Sequence, residues 1–177
     1  MSTSGITRRS PARWSAGWTA CVVFLLALGQ GCSSSESPTS PSGALTASEV
    51  ELQLLQLTNR ERFSAEVNPD LTSDSALSEI ARSHSFAMRD QGFFGHEGPD
   101  GRTLRQRLDV AGVPYSRAAE NIAQVTNSTD PAVFAHELLM DSERHRANIL
   151  DPRFSYVGIG VSRSGDTFWI TQIFIRP

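Results

Sequence analysis

Few side chains in this sequence could carry chemistry, and their types exclude several enzyme classes. The chain has 177 residues with four histidines and 16 basic residues, every one of which is arginine. Without a lysine the protein can form no Schiff base with a substrate, and it has no phosphate-binding P-loop. His136-Glu137 begins like the zinc-protease motif His-Glu-x-x-His, but Met140 stands where that motif needs its second histidine. We therefore do not predict a zinc-protease helix.

A serine and a histidine lie close together in the sequence at Ser142 and His145. This spacing is compatible with a serine nucleophile and its base, but no Gly-x-Ser-x-Gly elbow surrounds Ser142. We do not predict a serine hydrolase. His84 falls within an apolar helical stripe, which favours a hydrogen-bonded core histidine over a ligand.

The first 31 residues have the layout of a bacterial signal peptide. Three arginines and no acid precede an apolar run from Trp18 to Leu28, which is shorter than the roughly 20 residues of a transmembrane helix. Gly29-Gln30-Gly31-Cys32 then resembles a lipobox, which predicts that Cys32 is diacylated and becomes the mature N-terminus. Ordinary secretion, with Cys32 as a free thiol, is the alternative. We expect an exported protein whose lipid anchors it to a membrane of the cell envelope, with its domain outside the cytoplasm.

A polar stretch separates this signal from the rest of the chain. Residues 33–43 read SSSESPTSPSG, which predicts a disordered tether over residues 32–46 and one folded domain over residues 47–177. Removal of the three signal arginines leaves 13 arginines against 19 acids, a net charge of −6. We therefore expect no nucleic-acid partner.

Two long helices are predicted at the start of the domain. A capping-box spacing at Ser48 and Glu51 marks the beginning of the first. The second carries apolar residues at three- and four-residue steps from Leu77 to Met88, with Asp74 near its start and Gly92 after its end. These patterns predict helices that bury one face.

The second half of the domain changes from helix to strand. Apolar residues between Leu104 and Ala111 predict a third helix, and Asp130-Pro131 marks the start of a fourth. Tyr156–Val161 and Thr167–Ile175 flank the turn residues 164–166 and predict a β-hairpin. Helices followed by a strand pair, without βαβ alternation, indicate an α+β sandwich around an antiparallel sheet.

An ordered set of motifs covers nearly the whole domain and resembles the bacterial branch of the CAP superfamily, which includes the cysteine-rich secretory proteins. The motifs are Asn59-Arg60-Glu61-Arg62, Ala81-Arg82-Ser83-His84-Ser85, Phe93-Phe94-Gly95-His96, Ala119-Glu120-Asn121-Ile122-Ala123, His145-Arg146-Ala147-Asn148-Ile149-Leu150 and Val157-Gly158-Ile159-Gly160-Val161. The resemblance implies a three-layer α-β-α sandwich with a central antiparallel sheet. That agrees with the α+β class that the patterns predict.

The resemblance also implies a cleft built from two histidines and two glutamates. By motif, His96 and His145 are the histidines and Glu120 is the first glutamate. Ser142 falls near the place of the second glutamate, with Glu137 and Glu143 as neighbours of unknown orientation. The second cleft carboxylate is therefore left open.

Two interpretations of this cleft follow. His96, His145 and Glu120 are suitable ligands for Zn²⁺ or another divalent metal, with a fourth position left to water or Ser142. Alternatively they form a hydrogen-bonded network that joins loops around a cleft without a metal.

Two functions follow from these interpretations. The first is a non-enzymatic binding module that is tethered to the envelope and holds a metal ion or a small apolar or glycan ligand. The alternative is a metal-dependent hydrolase of peptide or cell-wall material, with Glu120 as general base or ligand.

Overall fold

The computed structural model describes residues 45–177, so the predicted signal peptide, the predicted acylation site Cys32 and most of the predicted tether lie outside the described residues. Two residues assigned to the tether belong to the fold, because Leu45 packs against the core and Thr46 caps the first helix. Within residues 45–177, no helix is long and apolar enough to cross a membrane.

Helices dominate the first part of the domain and strands the second. The elements in chain order are α1 (Ala47–Ser64), β1 (Thr72–Ser73), α2 (Ser75–Gln91), α3 (Leu104–Val110), β2 (Arg117–Thr126), α4 (Pro131–Asp141), α5 (Glu143–Ile149), β3 (Tyr156–Ser164) and β4 (Thr167–Arg176).

The predicted caps of α2 and α4 are confirmed. Asp74 accepts the N–H of Leu77 at 2.8 Å, and Asp130 accepts the N–H of Val133 at 3.1 Å. Each carboxylate thereby satisfies a backbone donor that the first helical turn leaves unpaired. Gly92 ends α2 with a φ of 66°, a left-handed conformation that glycine adopts without steric cost.

α1 begins two residues before the predicted capping box. The Oγ1 of Thr46 accepts the N–H of Glu49 at 3.3 Å, and the carboxylate of Glu49 accepts the N–H of Thr46 at 2.7 Å. The capping box predicted at Ser48 and Glu51 is therefore wrong. Both pairs have the same three-residue spacing, and Glu51 is instead engaged by Arg82 of α2, at 2.8 Å.

The predicted fourth helix is α4, and a further helix that was not predicted from the sequence, α5, follows it directly. Ser142 stands between them with φ −83° and ψ 117°, an extended conformation that interrupts the helical hydrogen bonds. Ser142 therefore lies at a corner and does not continue α4, so helical counting from α4 does not give its direction.

The central sheet has the strand order β1-β3-β4-β2. The predicted hairpin is confirmed: β3 and β4 pair antiparallel from Tyr156–Ile175 to Ser164–Thr167, and β2 pairs antiparallel with β4 along its whole length. β1 contributes two residues that pair parallel with Tyr156 and Val157. The sheet is thus mixed, with three long antiparallel strands.

Helices cover both faces of this sheet, which confirms the α+β class and the three-layer α-β-α arrangement. One core joins α1, α4 and α5 to the face that carries Val157 and Phe174. A smaller core joins α2 and α3 to the opposite face through Leu77, Leu108 and Ile173.

α2 approaches β3 closely because two glycines lie under it. A Cβ on Gly158 would overlap the backbone of Leu77 and Ser78, and a Cβ on Gly160 would overlap the backbone of Ala81 and Arg82. The alternation of glycine with valine and isoleucine in β3 therefore serves two faces. The glycines admit α2, and the branched residues fill the other core.

A fully buried arginine fixes the end of α5. The guanidinium of Arg62 in α1 donates to the carbonyl oxygens of Ile149 at 2.8 Å, Asp151 at 3.0 Å and Pro69 at 2.8 Å, and to that of Phe154 at 3.4 Å. Burial lowers the pKa of Arg62 from its ordinary value. The segment around Pro69 and the stretch from Ile149 to Phe154 are thereby tied to α1.

Candidate functional site

The site is centred on Glu120, whose side chain is only 3% exposed. Its Oε1 lies 2.9 Å from Nδ1 of His96, and its Oε2 accepts a hydrogen bond from Nη2 of Arg107 at 2.8 Å. A buried carboxylate paired with a guanidinium is ionised and can only accept hydrogen bonds. The Nδ1 of His96 therefore carries its proton toward Glu120.

The loop that carries His96 is held from below by α2. The Nε2–H of His84 donates to the carbonyl oxygen of Gly95 at 2.9 Å, and the ring of Phe93 packs edge-on against the ring of His84, 5.8 Å between centroids. Arg107 of α3 donates to the carbonyl oxygen of His96 at 3.0 Å. His84 is thus a core histidine, as its stripe predicts, and it positions this loop.

The charge state of His84 follows from its surroundings. Burial lowers the pKa of His84 from its ordinary value, and the positive charge of Arg107 adds to this effect against the opposing carboxylate of Glu120. The imidazole is therefore neutral at neutral pH. That matches its role as a donor to one carbonyl group.

His145 reaches the same region from the other side of β2. Its carbonyl oxygen accepts a hydrogen bond from Nδ2 of Asn121 at 3.2 Å, and Oδ1 of Asn121 accepts one from Nδ2 of Asn148 at 2.9 Å. These hydrogen bonds of the asparagine side chains join α5 to β2 beside Glu120. Burial lowers the pKa of His145, and the positive charge of a protonated His96 lowers it further.

The predicted site residues line two different depressions. His96 and Glu120 line a groove of about 690 Å³ together with Thr103, Arg105, Tyr115, Ser116 and Arg117. His145 and Ser142 line a separate, more apolar hollow of about 250 Å³ with Phe94, Ile122, Leu138 and Leu139. The structure therefore brings His96 and Glu120 into direct contact, and it places His145 with Ser142.

A divalent metal does not fit this arrangement well. The guanidinium of Arg107 lies 2.8 Å from Oε2 of Glu120 and would repel a cation there, and His145 lines a hollow separate from the groove of His96 and Glu120. Across residues 45–177, no group of three or more histidine, cysteine, aspartate or glutamate side chains could hold a metal ion. The geometry favours the hydrogen-bonded network, and the metal at His96, Glu120 and His145 stays a prediction.

Sequence reasoning missed Arg107 as a member of the site. Arg107 follows Leu104 by three residues and precedes Ala111 by four, so it lies on the face of α3 that the apolar residues define. An arginine within an apolar stripe is a signal of a buried partner. The partner itself, Glu120, lies in another element and could not be inferred from spacing.

This three-layer sandwich, with a histidine and a buried glutamate meeting between a loop and an edge strand, defines a CAP-type domain. Residues 55–174 match CAP, the cysteine-rich secretory protein family. The chain belongs to this family, which confirms the resemblance seen in the sequence.

Relatives and solved structures agree with this assignment. The chain is 36% identical over 137 residues to the uncharacterized protein YkwD of Bacillus subtilis (strain 168), covering 77% of this chain and 51% of that protein. An extracellular protein containing an SCP domain from Bacillus anthracis has a TM-score of 0.64 at 34% identity, over 77% of this chain and 45% of that one. An outer surface protein from Borrelia burgdorferi has a TM-score of 0.66 at 15% identity, over 75% and 96%, and shows the fold alone. The chain spans about half the length of the two Bacillus proteins.

Proposed function

We propose that this protein is a binding module of the bacterial cell envelope, attached through a lipid on Cys32, whose groove at His96 binds a small glycan ligand of the envelope. The observation that carries this proposal is the engagement of Glu120. Both oxygens of this buried carboxylate have a partner within the protein, whereas the imidazole of His96 is more than half exposed at the groove.

The groove supports a polar ligand by its lining. Thr103, Ser116, Arg105, Arg117 and Tyr115 line the same groove as the imidazole of His96, whose side chain is 57% exposed. Hydroxyls and guanidinium groups hydrogen-bond sugar oxygens, and an aromatic ring packs against the apolar face of a sugar. A volume of about 690 Å³ is in the range of a small-molecule site.

Metal-dependent hydrolysis, the alternative from the sequence, has less support. It requires Glu120 as a general base or a metal ligand. The guanidinium of Arg107, 2.8 Å from one carboxylate oxygen, opposes the approach of a cation, and the other oxygen already accepts a hydrogen bond from Nδ1 of His96.

The proposed location is supported by the N-terminal sequence and by one relative. Arginines, an apolar run and the small residues before Cys32 are typical of an exported lipoprotein. The Bacillus anthracis protein, 34% identical, is described as extracellular. Mass spectrometry of the native N-terminus should find acylated Cys32, and Cys32→Ser should release the protein from membranes. An unmodified, freely soluble mature chain would contradict the anchor.

Calorimetric titration of the full-length protein with soluble muropeptides and glycan strands tests the ligand. We expect His96→Ala and Arg105→Ala to weaken binding at least about tenfold, a loss of about 1.4 kcal/mol. Leu138→Ala, in the separate hollow, is the matched control and should bind as the unaltered protein does. Binding that all three variants retain, or cleavage of the glycans or peptides, would overturn the proposal.

A further inference from the structure

We propose that Arg107 is an internal counter-cation that replaces a metal ion at the His96–Glu120 site, so that this site works without a metal. The inference concerns how the chain neutralises its own buried acid. It holds whichever ligand occupies the groove, so its test is separate from that of the proposed function.

Glu120 and Arg107 balance each other's charge. The side chain of Glu120 is 3% exposed and that of Arg107 is 12% exposed, so both charges are largely withdrawn from water. An unpaired carboxylate at such a position would be strongly destabilising, and a nearby positive charge is what compensates it. The guanidinium supplies that charge at 2.8 Å, the role that a bound cation would otherwise have.

The side-chain hydrogen bonds of Arg107 are made at this site. Its Nη2 donates both to Glu120 and to the carbonyl oxygen of His96, at 2.8 and 3.0 Å. Within residues 45–177, Glu120 is its only ion-pair partner, and its Nε and Nη1 are buried without hydrogen-bond partners. A divalent ion bound to Glu120 would therefore leave a buried guanidinium with no compensating charge.

The contact with Glu120 also determines which ring nitrogen of His96 carries the proton. Because the ionised Glu120 can only accept, Nδ1 of His96 carries the proton at the 2.9 Å contact. In the neutral ring the other nitrogen, Nε2, then carries a lone pair. The pair of Glu120 and Arg107 thus leaves Nε2 of a neutral His96 as a hydrogen-bond acceptor for hydroxyl or amide groups of a ligand.

Zinc titration of the full-length protein tests this inference. We expect the unaltered protein to bind Zn²⁺ weakly, and Arg107→Met to bind it at least about tenfold more tightly, because the carboxylate is freed and the repelling charge is gone. Arg107→Lys keeps the positive charge, so its affinity for Zn²⁺ should remain as weak as that of the unaltered protein. Arg105→Met, which removes a guanidinium from the same groove without touching Glu120, should change the affinity little. Adding His96→Ala to Arg107→Met should abolish the gain.

Nitrogen NMR of His96 in the unaltered protein provides a measurement that needs no variant. We expect the Nδ1–H tautomer, with an unprotonated Nε2, at a pH where the ring is neutral. An Nε2–H tautomer would overturn the inference. So would one tightly bound zinc per unaltered chain that His96→Ala removes, or a folded Arg107→Met whose zinc affinity is unchanged.

Discussion

The carboxylate of Glu51 in α1 accepts the backbone N–H of Val161 in β3, at 3.0 Å. β1 pairs with β3 only as far as Val157, so this carboxylate caps the edge of β3 where its strand partner has ended. It also accepts two hydrogen bonds from the guanidinium of Arg82 in α2, at 2.9 and 2.8 Å. One side chain therefore connects both helical layers to the edge of the sheet.

Glu51→Ala should destabilise the domain by about 2 kcal/mol, because it leaves the N–H of Val161 without its acceptor and removes the closer partner of Arg82. Urea unfolding at neutral pH measures the loss. Glu79→Ala is the control, since Glu79 is an exposed partner of the same arginine at 3.6 Å and should cost less than about 0.5 kcal/mol. Equal losses in the two variants would mean that the edge contact is unimportant. The free strand edge should also make Glu51→Ala more prone to aggregation.

Gly160→Ala should cost about 3 kcal/mol, because its Cβ would collide with the backbone of α2 at Ala81 and Arg82. Thermal unfolding by circular dichroism measures the effect. Ser164→Ala, at the exposed end of the same strand, should change stability by less than about 0.5 kcal/mol. A stable Gly160→Ala domain would show that α2 can move off the sheet.

Arg62→Met should destabilise the domain by about 3 to 5 kcal/mol, because four backbone carbonyl groups lose a shared buried donor. Arg62→Lys should recover only part of this, since one ammonium group cannot reach the four oxygens that the planar guanidinium reaches. Arg60→Met, in the same helix and exposed, is the control for urea unfolding. Losses of similar size at Arg60 and Arg62 would contradict the role of the buried contacts.

The stability of the domain should fall as the pH falls below 6.5, the ordinary pKa of histidine. Burial and Arg107 lower the pKa of His84 in the folded state, so in this range the unfolded chain binds a proton that the folded chain resists. His84→Gln retains a donor for the carbonyl oxygen of Gly95 and should flatten the dependence of the unfolding temperature on pH between about 6.5 and 5.

The pKa values of His136 and His145 are also lowered by burial, so part of the pH dependence should remain in His84→Gln. His136→Gln is the comparison, because its histidine lies against α1 and away from the His96 loop. An unchanged slope in His84→Gln would mean that His84 is protonated as readily in the folded chain as in the unfolded one.

Local signals made much of the fold predictable. Asp74, Gly92 and Asp130-Pro131 act within one turn of their own helices, and the turn before Thr167 joins strands that are adjacent in sequence. β2 was missed. Its sequence RAAENIAQVT contains alanine, glutamate and asparagine, which have low strand propensity, and two of these residues, Glu120 and Asn121, make the contacts of the site.

The site was predictable only in part, since its contacts connect distant segments. The family motifs indicated His96, Glu120 and His145, but they did not reveal that Arg107 competes with a metal for Glu120. The break at Ser142 has a local signal, because serine and aspartate favour helix N-caps over helix interiors and Ser142 is the N-cap of α5, but the direction of α5 depends on its packing against β2.

Glu120 and Asn121 are neighbours in β2, yet the first contacts His96 and the second contacts the backbone of His145. Because neighbouring residues of a strand point in opposite directions, a slip of β2 by one residue would exchange their surroundings and break both contacts at once. The register of β2 on β4, from Arg117–Arg176 to Thr126–Thr167, therefore determines that the carboxylate of Glu120 contacts His96 and that the amide of Asn121 contacts the backbone of His145. Insertions and deletions should accordingly be tolerated in the loops that flank β2 and not within the strand itself.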